Sequence, residues 1–271
     1  MVYDWISFTT DYGLSDGFTA ACRGVIAGIA PDVGVMDVTH DVPPQRIRQA
    51  ASVLADTLPF LPKCVHLAVV DPGVGSRRRG VVVVALRGLL VGPDNGLLLP
   101  AAEALGGVQA AYELTEPAYQ LPHVSATFHG RDIFAPAAAH LALGVAPEAF
   151  GKPVSDLVEL PTPLHVISTR PKGLIVGVLA TDHYGNIQLA ATMDDLREAG
   201  LGKLVEIHGY DPEPTVTAIV GRTFSDVGPG RPILYEDSSG HLAIAVNYGS
   251  AVEMFGAETD EFTITASSKR W

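Results

Sequence analysis

Val69-Val70-Asp71-Pro72-Gly73-Val74-Gly75-Ser76-Arg77-Arg78-Arg79-Gly80 sets a carboxylate, a glycine-rich turn and three guanidinium groups between two apolar runs. Those runs, Val65 to Val70 and Val81 to Leu86, read as buried strands. A carboxylate where a buried strand meets a tight Pro-Gly turn is where open α/β sheets place ligand chemistry. The same residues also suit plain structure, because Asp-Pro-Gly is ordinary turn chemistry and an arginine run is usually a solvated face.

Around this stretch, short apolar runs alternate with helical patterns up to about residue 160. That alternation predicts an α/β fold with a mostly parallel sheet sandwiched by helices. Strands are expected at Trp5 to Thr9, Val33 to Thr39, Leu89 to Val91 and Gln109 to Leu114, and helices at Asp16 to Ile29, Gln45 to Leu58, the segment through Leu105, and Arg131 to Leu143 with an interruption near Pro136. Ile47, Ala51, Leu54 and Leu58 recur at helical spacing, so one face of that helix is buried. From Lys152 to Lys172 the chain carries Pro153, Pro161, Pro163 and Pro171, and then strands dominate. The predicted organisation is an α/β domain at 1–160, a proline-rich linker at 161–172 and a small antiparallel β-barrel at 173–271. Its strands are expected at Leu174 to Thr181, Asn186 to Ala190, Lys203 to His208, Thr215 to Val220, Pro232 to Tyr235, Leu242 to Asn247 and Glu261 to Thr265, with one helix at Met193 to Ala199.

Composition narrows the class of partner. Lys plus Arg total 18 against 30 Asp plus Glu, a formal net charge of -12, and Arg77 to Arg79 is the one marked basic cluster. A phosphate backbone or an anionic membrane would repel such a chain, so neither nucleic acid nor membrane is an expected partner. The amino terminus lacks the basic and apolar regions of a signal peptide, and Cys22 and Cys64 form neither a metal-like spacing nor a disulfide framework. The expected location is a reducing cytoplasm. Phosphate-loop, dinucleotide-turn, nucleophile-elbow and zinc-helix motifs are all missing, which weakens nucleotide hydrolysis, nicotinamide redox and serine hydrolysis as functions.

What remains is a series of polar residues in loops after apolar strands. Thr9-Thr10-Asp11-Tyr12-Gly13 follows the first strand, with Asp11 placed to hold a ribose diol, and Ser15-Asp16 opens a helix that Asp16 could simply cap. Thr127-Phe128-His129-Gly130-Arg131-Asp132 precedes another helix. Asp182-His183-Tyr184-Gly185-Asn186 suits a hairpin turn, Ser238-Ser239-Gly240 is a further turn, and Phe224 suits a core position.

In order and spacing these motifs, with Ile6 to Gly13, Pro93-Asp94-Asn95-Gly96-Leu97-Leu98 and Asn247, resemble the S-adenosyl-L-methionine hydroxide adenosyltransferases, relatives of the bacterial fluorinase and chlorinase. The resemblance runs over essentially the whole chain. It implies an N-terminal α/β domain joined to a C-terminal β-barrel, and a homotrimer with the small-molecule substrate between neighbouring subunits. It also implies hydrolysis of S-adenosyl-L-methionine to adenosine and L-methionine by attack of activated water at ribose C5′, with no cofactor and no metal. The family's triad falls on Asp71, Arg78 and His129, and its arginine, seven positions after the aspartate, selects Arg78 from the three. Under the same resemblance Asp11 holds the ribose hydroxyls, Asp16 and Asp182 the methionine amine, and Ser238 and Ser239 its carboxylate. Asn186 and the backbone near Asn247 meet the adenine, with Phe224 against its face. Gln45 stands where the fluorinase has an aromatic residue, and the Asp182 to Asn186 loop is one residue shorter than its counterpart there.

The implied chemistry follows from the nucleophile. Bulk water has a pKa of about 15.7, so hydroxide must be generated in place. His129 takes the proton, Arg78 stabilises the developing hydroxide, and Asp71 orients them, because arginine does not deprotonate in proteins. Rival expectations are halide attack giving a 5′-halo-5′-deoxyadenosine, a sensor that binds without turnover, and a metal-dependent hydrolase. Asp71 and His129, which the halogenases replace, favour water over halide.

Overall fold

The computed structural model of the chain describes residues 2–169, 172–209, 215–256 and 259–267. It divides into two compact units, residues 1–160 and 161–271. Arg170 and Pro171 of the expected linker, and the last four residues of the expected barrel, lie outside the described residues.

In the first unit the elements run β1 (Trp5–Thr10), α1 (Phe18–Ile29), β2 (Gly34–Thr39), α2 (Ile47–Thr57), β3 (Val65–Val69), β4 (Gly80–Ala85), β5 (Gly88–Pro93), α3 (Leu99–Ala104), β6 (Val108–Glu113) and α4 (Ala135–Ala142). They build a sheet of order β2-β1-β3-β5-β4-β6. β1, β2, β3 and β5 are mutually parallel, and β4 runs antiparallel between β5 and β6. The period of two along each strand feeds two separate cores. Ile6, Phe8, Val65, Leu67, Val69 and Val82 pack with Cys22 and Ile26 of α1 and the alanines of α4. Ala68, Val70, Val81, Val83 and Leu90 pack with Ala51 and Leu54 of α2 and Ala101 of α3. β3 is therefore buried on both faces, which explains its nearly unbroken apolar sequence.

Two helix starts differ from expectation. α1 begins at Phe18 with Gly17 in the cap position and no side-chain cap, so Asp16 does not cap it. The helix expected from Arg131 opens as a π-turn, Gly130–Phe134, and becomes α-helical at Ala135, with Pro136 in the first turn. Pro136 has no N–H to give to the preceding turn, and the Asp132 carbonyl accepts Leu121 N–H at 2.8 Å instead.

The second unit contains β7 (His165–Thr169), β8 (Lys172–Thr181), β9 (Ile187–Leu189), α5 (Met193–Glu198), β10 (Leu204–His208), β11 (Thr215–Val220), β12 (Pro232–Glu236), β13 (Leu242–Val246), α6 (Ala251–Phe255) and β14 (Glu261–Ala266). Seven strands close in the order β14-β10-β11-β12-β13-β9-β8, with β14 returning to β8. The barrel was expected to be antiparallel throughout, yet β11 and β12 pair in parallel at Ile219↔Ile233 and Val220↔Leu234. Their long connection carries a 3-10 turn at Phe224–Asp226 and brings the chain back in its starting direction, which no two-residue hairpin can do. The stretch 161–172, expected as a linker, also contains β7, which pairs along β8 from His165↔Val176 to Thr169↔Lys172. α6 was not anticipated. Among the described residues no helix is long and apolar enough to cross a membrane.

One buried polar cluster sits inside the sheet of the first unit. His66 on β3 lies beside Ser7 on β1, with Ser7 Oγ 2.8 Å and Cys64 Sγ 3.5 Å from His66 Nδ1. Burial pushes the His66 pKa down from 6.5 to about 4, so the native ring is neutral. The unfolded chain binds this proton more readily, so stability rises with pH across that interval. His66 should cost about 3 kcal/mol as pH falls from 7 to 4. Urea unfolding across that range should show a shallower acid dependence in His66→Gln than in the parent chain.

Candidate active site

β1 leads to β2 on one side and to β3 on the other, so the sheet has its topological switch point where β1 and β3 end. Ligands of open α/β sheets bind at such points, because the loops diverge there and leave a crevice. Asp11 follows β1 and Asp71 follows β3, so the strand order itself sets both carboxylates at this point.

Arg78 joins the loop after β3 to the segment before α4. Its Nε donates to Asp71 Oδ1 at 2.8 Å, its Nη2 donates to Asp71 Oδ2, and the same Nη2 is 2.9 Å from His129 Nδ1. A guanidinium only donates, so Nδ1 is the acceptor and the neutral ring carries its proton on Nε2. Arg78 and Asp71 are 10% and 6% exposed, so the charged pair is nearly dry and each depends on the other. The guanidinium also lies 5.0 Å from the Phe134 ring centre. Burial first, and then Arg78, holds the His129 pKa below its ordinary value, against opposing pulls from Asp71 and Asp132.

Glycines make this approach possible. Gly75 has φ +77°, and a Cβ there would stand 2.3 Å from the Ala126 carbonyl oxygen, so the arginine loop rests on the segment leading to His129. At Gly130 a Cβ would meet the Tyr12 hydroxyl at 2.1 Å. Tyr12 in turn packs edge-on to Phe128, with ring centres 5.8 Å apart. Burial holds its phenol protonated, with smaller contributions from Cys22, Asp11 and Asp71.

The three arginines have separate places. Arg77 is exposed. Arg79 donates to Asp94 at 2.8 Å and 2.5 Å and to Asp156 at 2.6 Å, while Asp94 accepts Val158 N–H at 2.8 Å. Arg79 thus ties the residue 156–158 segment to the end of β5. Asn95 donates to Val70 O at 2.9 Å and so braces the exit of β3.

Asp11 accepts the backbone N–H of Gln45 at 3.0 Å. Gln45 holds φ +68°, a left-handed conformation that non-glycine residues seldom adopt. Behind this loop, His40 Nδ1 lies 2.8 Å from Thr10 Oγ1, and His40 Nε2 lies 3.0 Å from Asp37 Oδ1. Thr10 Oγ1 also accepts Tyr12 N–H at 3.2 Å. Asp16 is exposed in the following loop.

The expected residues of the second unit sit in loops of the barrel. Asp182 Oδ1 accepts from Tyr184 N and Asn186 N at 2.9 Å and 2.8 Å, and Oδ2 accepts from Asn186 Nδ2 at 2.7 Å. Asp182 and Asn186 are therefore hydrogen-bonded to one another within the β8–β9 loop. Ser238 and Ser239 are exposed in a turn organised by Asp237, which accepts Ser239 N–H at 2.9 Å. Asn247 Nδ2 donates to Val227 O at 2.7 Å, its N–H donates to Arg231 O, and its carbonyl accepts from Gly230. Phe224, expected as a possible core residue or adenine partner, is 43% exposed, with its ring 5.2 Å from that of Tyr235. Burial, Asp182 and Asp237 together push the Tyr235 phenol up to about 12. Among the described residues, no three His, Cys, Asp or Glu side chains cluster as a metal site would.

An α/β sheet with a partly buried Asp–Arg–His cluster at its carboxyl-end switch point, followed along the chain by a closed mixed barrel, defines a two-unit class of α/β plus β-barrel enzymes. Residues 6–151 match the SAM hydroxide adenosyltransferase N-terminal domain and residues 176–263 the C-terminal domain, and the chain belongs to that family. It is 53% identical to the (R)-S-adenosyl-L-methionine hydrolase of Salinispora arenicola, over 97% of this chain and 98% of that protein. It is 30% identical to the fluorinase of Actinopolyspora mzabensis, over 90% and 91%. The crystal structure of an uncharacterized conserved protein from Thermotoga maritima superposes with a TM-score of 0.87 at 33% identity, covering 96% of this chain and 99% of that one.

Gly75 gives a structural test of how the cluster is assembled. Gly75→Ala meets both the positive φ and the Ala126 carbonyl, so it should destabilise the first unit by about 1–3 kcal/mol. Chemical denaturation measures this, and Gly17→Ala, where a Cβ meets nothing within 4 Å, is the control.

Proposed function

We infer that the chain hydrolyses S-adenosyl-L-methionine to adenosine and L-methionine, and that it takes the (R)-sulfonium epimer specified by the names of its relatives. The observation that carries this inference is the dry Arg78 guanidinium held between Asp71 and the Nδ1 lone pair of His129. Three of its five N–H groups are engaged, and among the described residues the two on Nη1 have no protein acceptor. A permanent cation with spare donors, in a site of low exposure, is suited to stabilise charge developing on a water oxygen.

As a water O–H proton passes to Nδ1 of His129, the imidazole swings off Arg78, whose Nη2 N–H is left to donate to the nascent hydroxide. Asp71 keeps the guanidinium in place during this exchange. The hydroxide attacks C5′ in line, the C5′–S bond breaks with its electron pair on sulfur, and methionine departs as a neutral thioether. His129 then returns its proton to solvent. Reacting atoms about 3–3.5 Å apart and aligned are needed, so the carboxylates at Asp11, Asp16 and Asp182 act by holding the ribose and the ammonium group. Ser238 and Ser239 meet the carboxylate, and Asn186, Asn247 and Phe224 the adenine. These binding roles rest on the family resemblance. So do the finer readings that the protein is a homotrimer and needs no cofactor, while the cytoplasmic reading rests on the cysteine usage and the amino-terminal sequence. Light scattering should give three times the 28.5 kDa chain mass if the homotrimer is right.

Incubation with each sulfonium epimer should release equimolar adenosine and methionine from the (R) form. Recovery of both epimers unchanged would contradict the assignment. His129→Ala and Arg78→Ala should each lower turnover by about 10²–10⁴, and Arg77→Ala should not. Because the active ring is neutral and its pKa is held below the usual histidine value, kcat/KM should stay level through pH 6.5 and fall only at more acid pH. An acid limb centred at or above 6.5 would remove His129 as the group that takes the proton.

A further inference from the structure

The segment that presents His129 is closed by a carboxylate with no direct part in the triad. Asp132 is completely buried. Its Oδ2 accepts Ser125 N–H at 2.8 Å, and its Oδ1 and Oδ2 accept Arg131 Nε and Nη2 at 2.6 Å and 3.0 Å. Its own N–H donates to Phe128 O at 3.1 Å, and its carbonyl accepts Leu121 N–H at 2.8 Å. Phe128 N–H closes the ring of contacts on Ser125 Oγ at 3.1 Å. The Arg131 guanidinium lies 4.9 Å from the Phe128 ring centre, so the residues on both sides of His129 are clamped to one carboxylate.

A fully buried carboxylate is costly unless it is paired and fully hydrogen-bonded. Its only cationic partner recorded among the described residues is Arg131, the adjacent residue, whose side chain is 35% exposed. An amide here would set an N–H group against either the Ser125 N–H or the guanidinium, so this geometry needs a carboxylate rather than any polar residue of the same shape. Arg131 and Asp132 lie within the π-turn Gly130–Phe134, and π-turns recur at functional sites.

We propose that Asp132 is the positioning residue of His129, its buried carboxylate fixing the Ser125–Asp132 loop so that Nδ1 of the imidazole meets Arg78. Its catalytic consequence rests on the hydrolase assignment above, whereas its structural content does not. The groups facing His129 are Arg78 and Asp71 from the loop after β3, Asp132 from its own segment, and Tyr12, which packs on Gly130.

The deciding experiment is imidazole ¹⁵N NMR of the parent chain and Asp132→Asn through a pH titration, with the His129 resonance assigned by its loss in His129→Gln. In the parent the ring should be the Nε2–H tautomer with a pKa below the ordinary value. If Asp132 positions the ring, Asp132→Asn frees it from Arg78 and from burial, so the tautomers mix and the pKa rises. If Asp132 merely lies nearby, removing its charge leaves the tautomer intact and the pKa falls or stays, and the proposal is overturned. The opposite signs separate the two cases without any turnover. In the activity assay Asp132→Asn should lose about 10²-fold in kcat with KM nearly unchanged, as expected for a misplaced reacting group, and Asp132→Glu should recover part of it. A parent chain that leaves S-adenosylmethionine intact but passes the NMR test would sink the hydrolase assignment and not this one. If Asp132→Asn does not fold, Arg131→Lys keeps the charge while losing the two-pronged bond, and the same tautomer readout applies, with unchanged parent values counting against the proposal.

Discussion

A single guanidinium, that of Arg78, joins the elements of the candidate site. It is shared between the carboxylate that ends β3 and the imidazole that precedes α4, two groups 58 residues apart in sequence. Because the pair is nearly dry, neither Asp71 nor Arg78 is stable there alone, and loss of either leaves an uncompensated charge. The contact also fixes the state of His129, since a donor aimed at Nδ1 excludes a proton there and burial reinforces the neutral form. One ion pair thereby sets geometry, tautomer and charge together.

That contact depends on the scaffold around it. The parallel strands bring Asp11 and Asp71 to one switch point, and Gly75 lets the arginine loop rest against Ala126. Arg79 and Asp94 hold the far side of that loop, so neighbouring arginines divide the work, one in the triad and one in the frame. Tyr12 fits over Gly130 because no Cβ stands in its way. The barrel unit is organised differently. Asp182 and Asn186 bond to one another within the β8–β9 loop, whereas Asn247 ties its own loop to the β11–β12 connection through Val227 and Arg231, so these loops are shaped before any ligand arrives.

Much of this fold was legible from local patterns. Valine-rich β3 and β4, the helical spacing in α2, and the change to strands after the proline-rich stretch all reflect side-chain periodicity, which sequence displays directly. The parallel β11–β12 pair and strand β7 were missed because pairing direction depends on the path of a long connection and on a distant partner, not on the residues of either strand. Asp16 suggested a helix cap, but the chain begins α1 two residues later. In the site, residue types and order pointed to Asp71, Arg78 and His129 through family resemblance, while spacing by itself could not separate Arg78 from Arg79. Their difference lies in partners 51 and 77 residues away, His129 and Asp156. Asp132 and Tyr12 stand in quoted motifs but drew no role there for a related reason, since burial and the absence of a neighbouring Cβ are properties of packing. The left-handed Gln45, whose N–H is held by Asp11, is likewise invisible until the loop is built.

Attack of water at ribose carbon is the central claim, and isotope transfer tests it most directly. Purified protein treated with chelator would be incubated with (R)-S-adenosyl-L-methionine in ¹⁸O-water, and the products resolved by mass spectrometry. The account predicts one ¹⁸O at the 5′ oxygen of adenosine and an equal quantity of unlabelled methionine. Adenosine without the label, a 5′-halogenated nucleoside when chloride is present, or intact substrate after long incubation would contradict it.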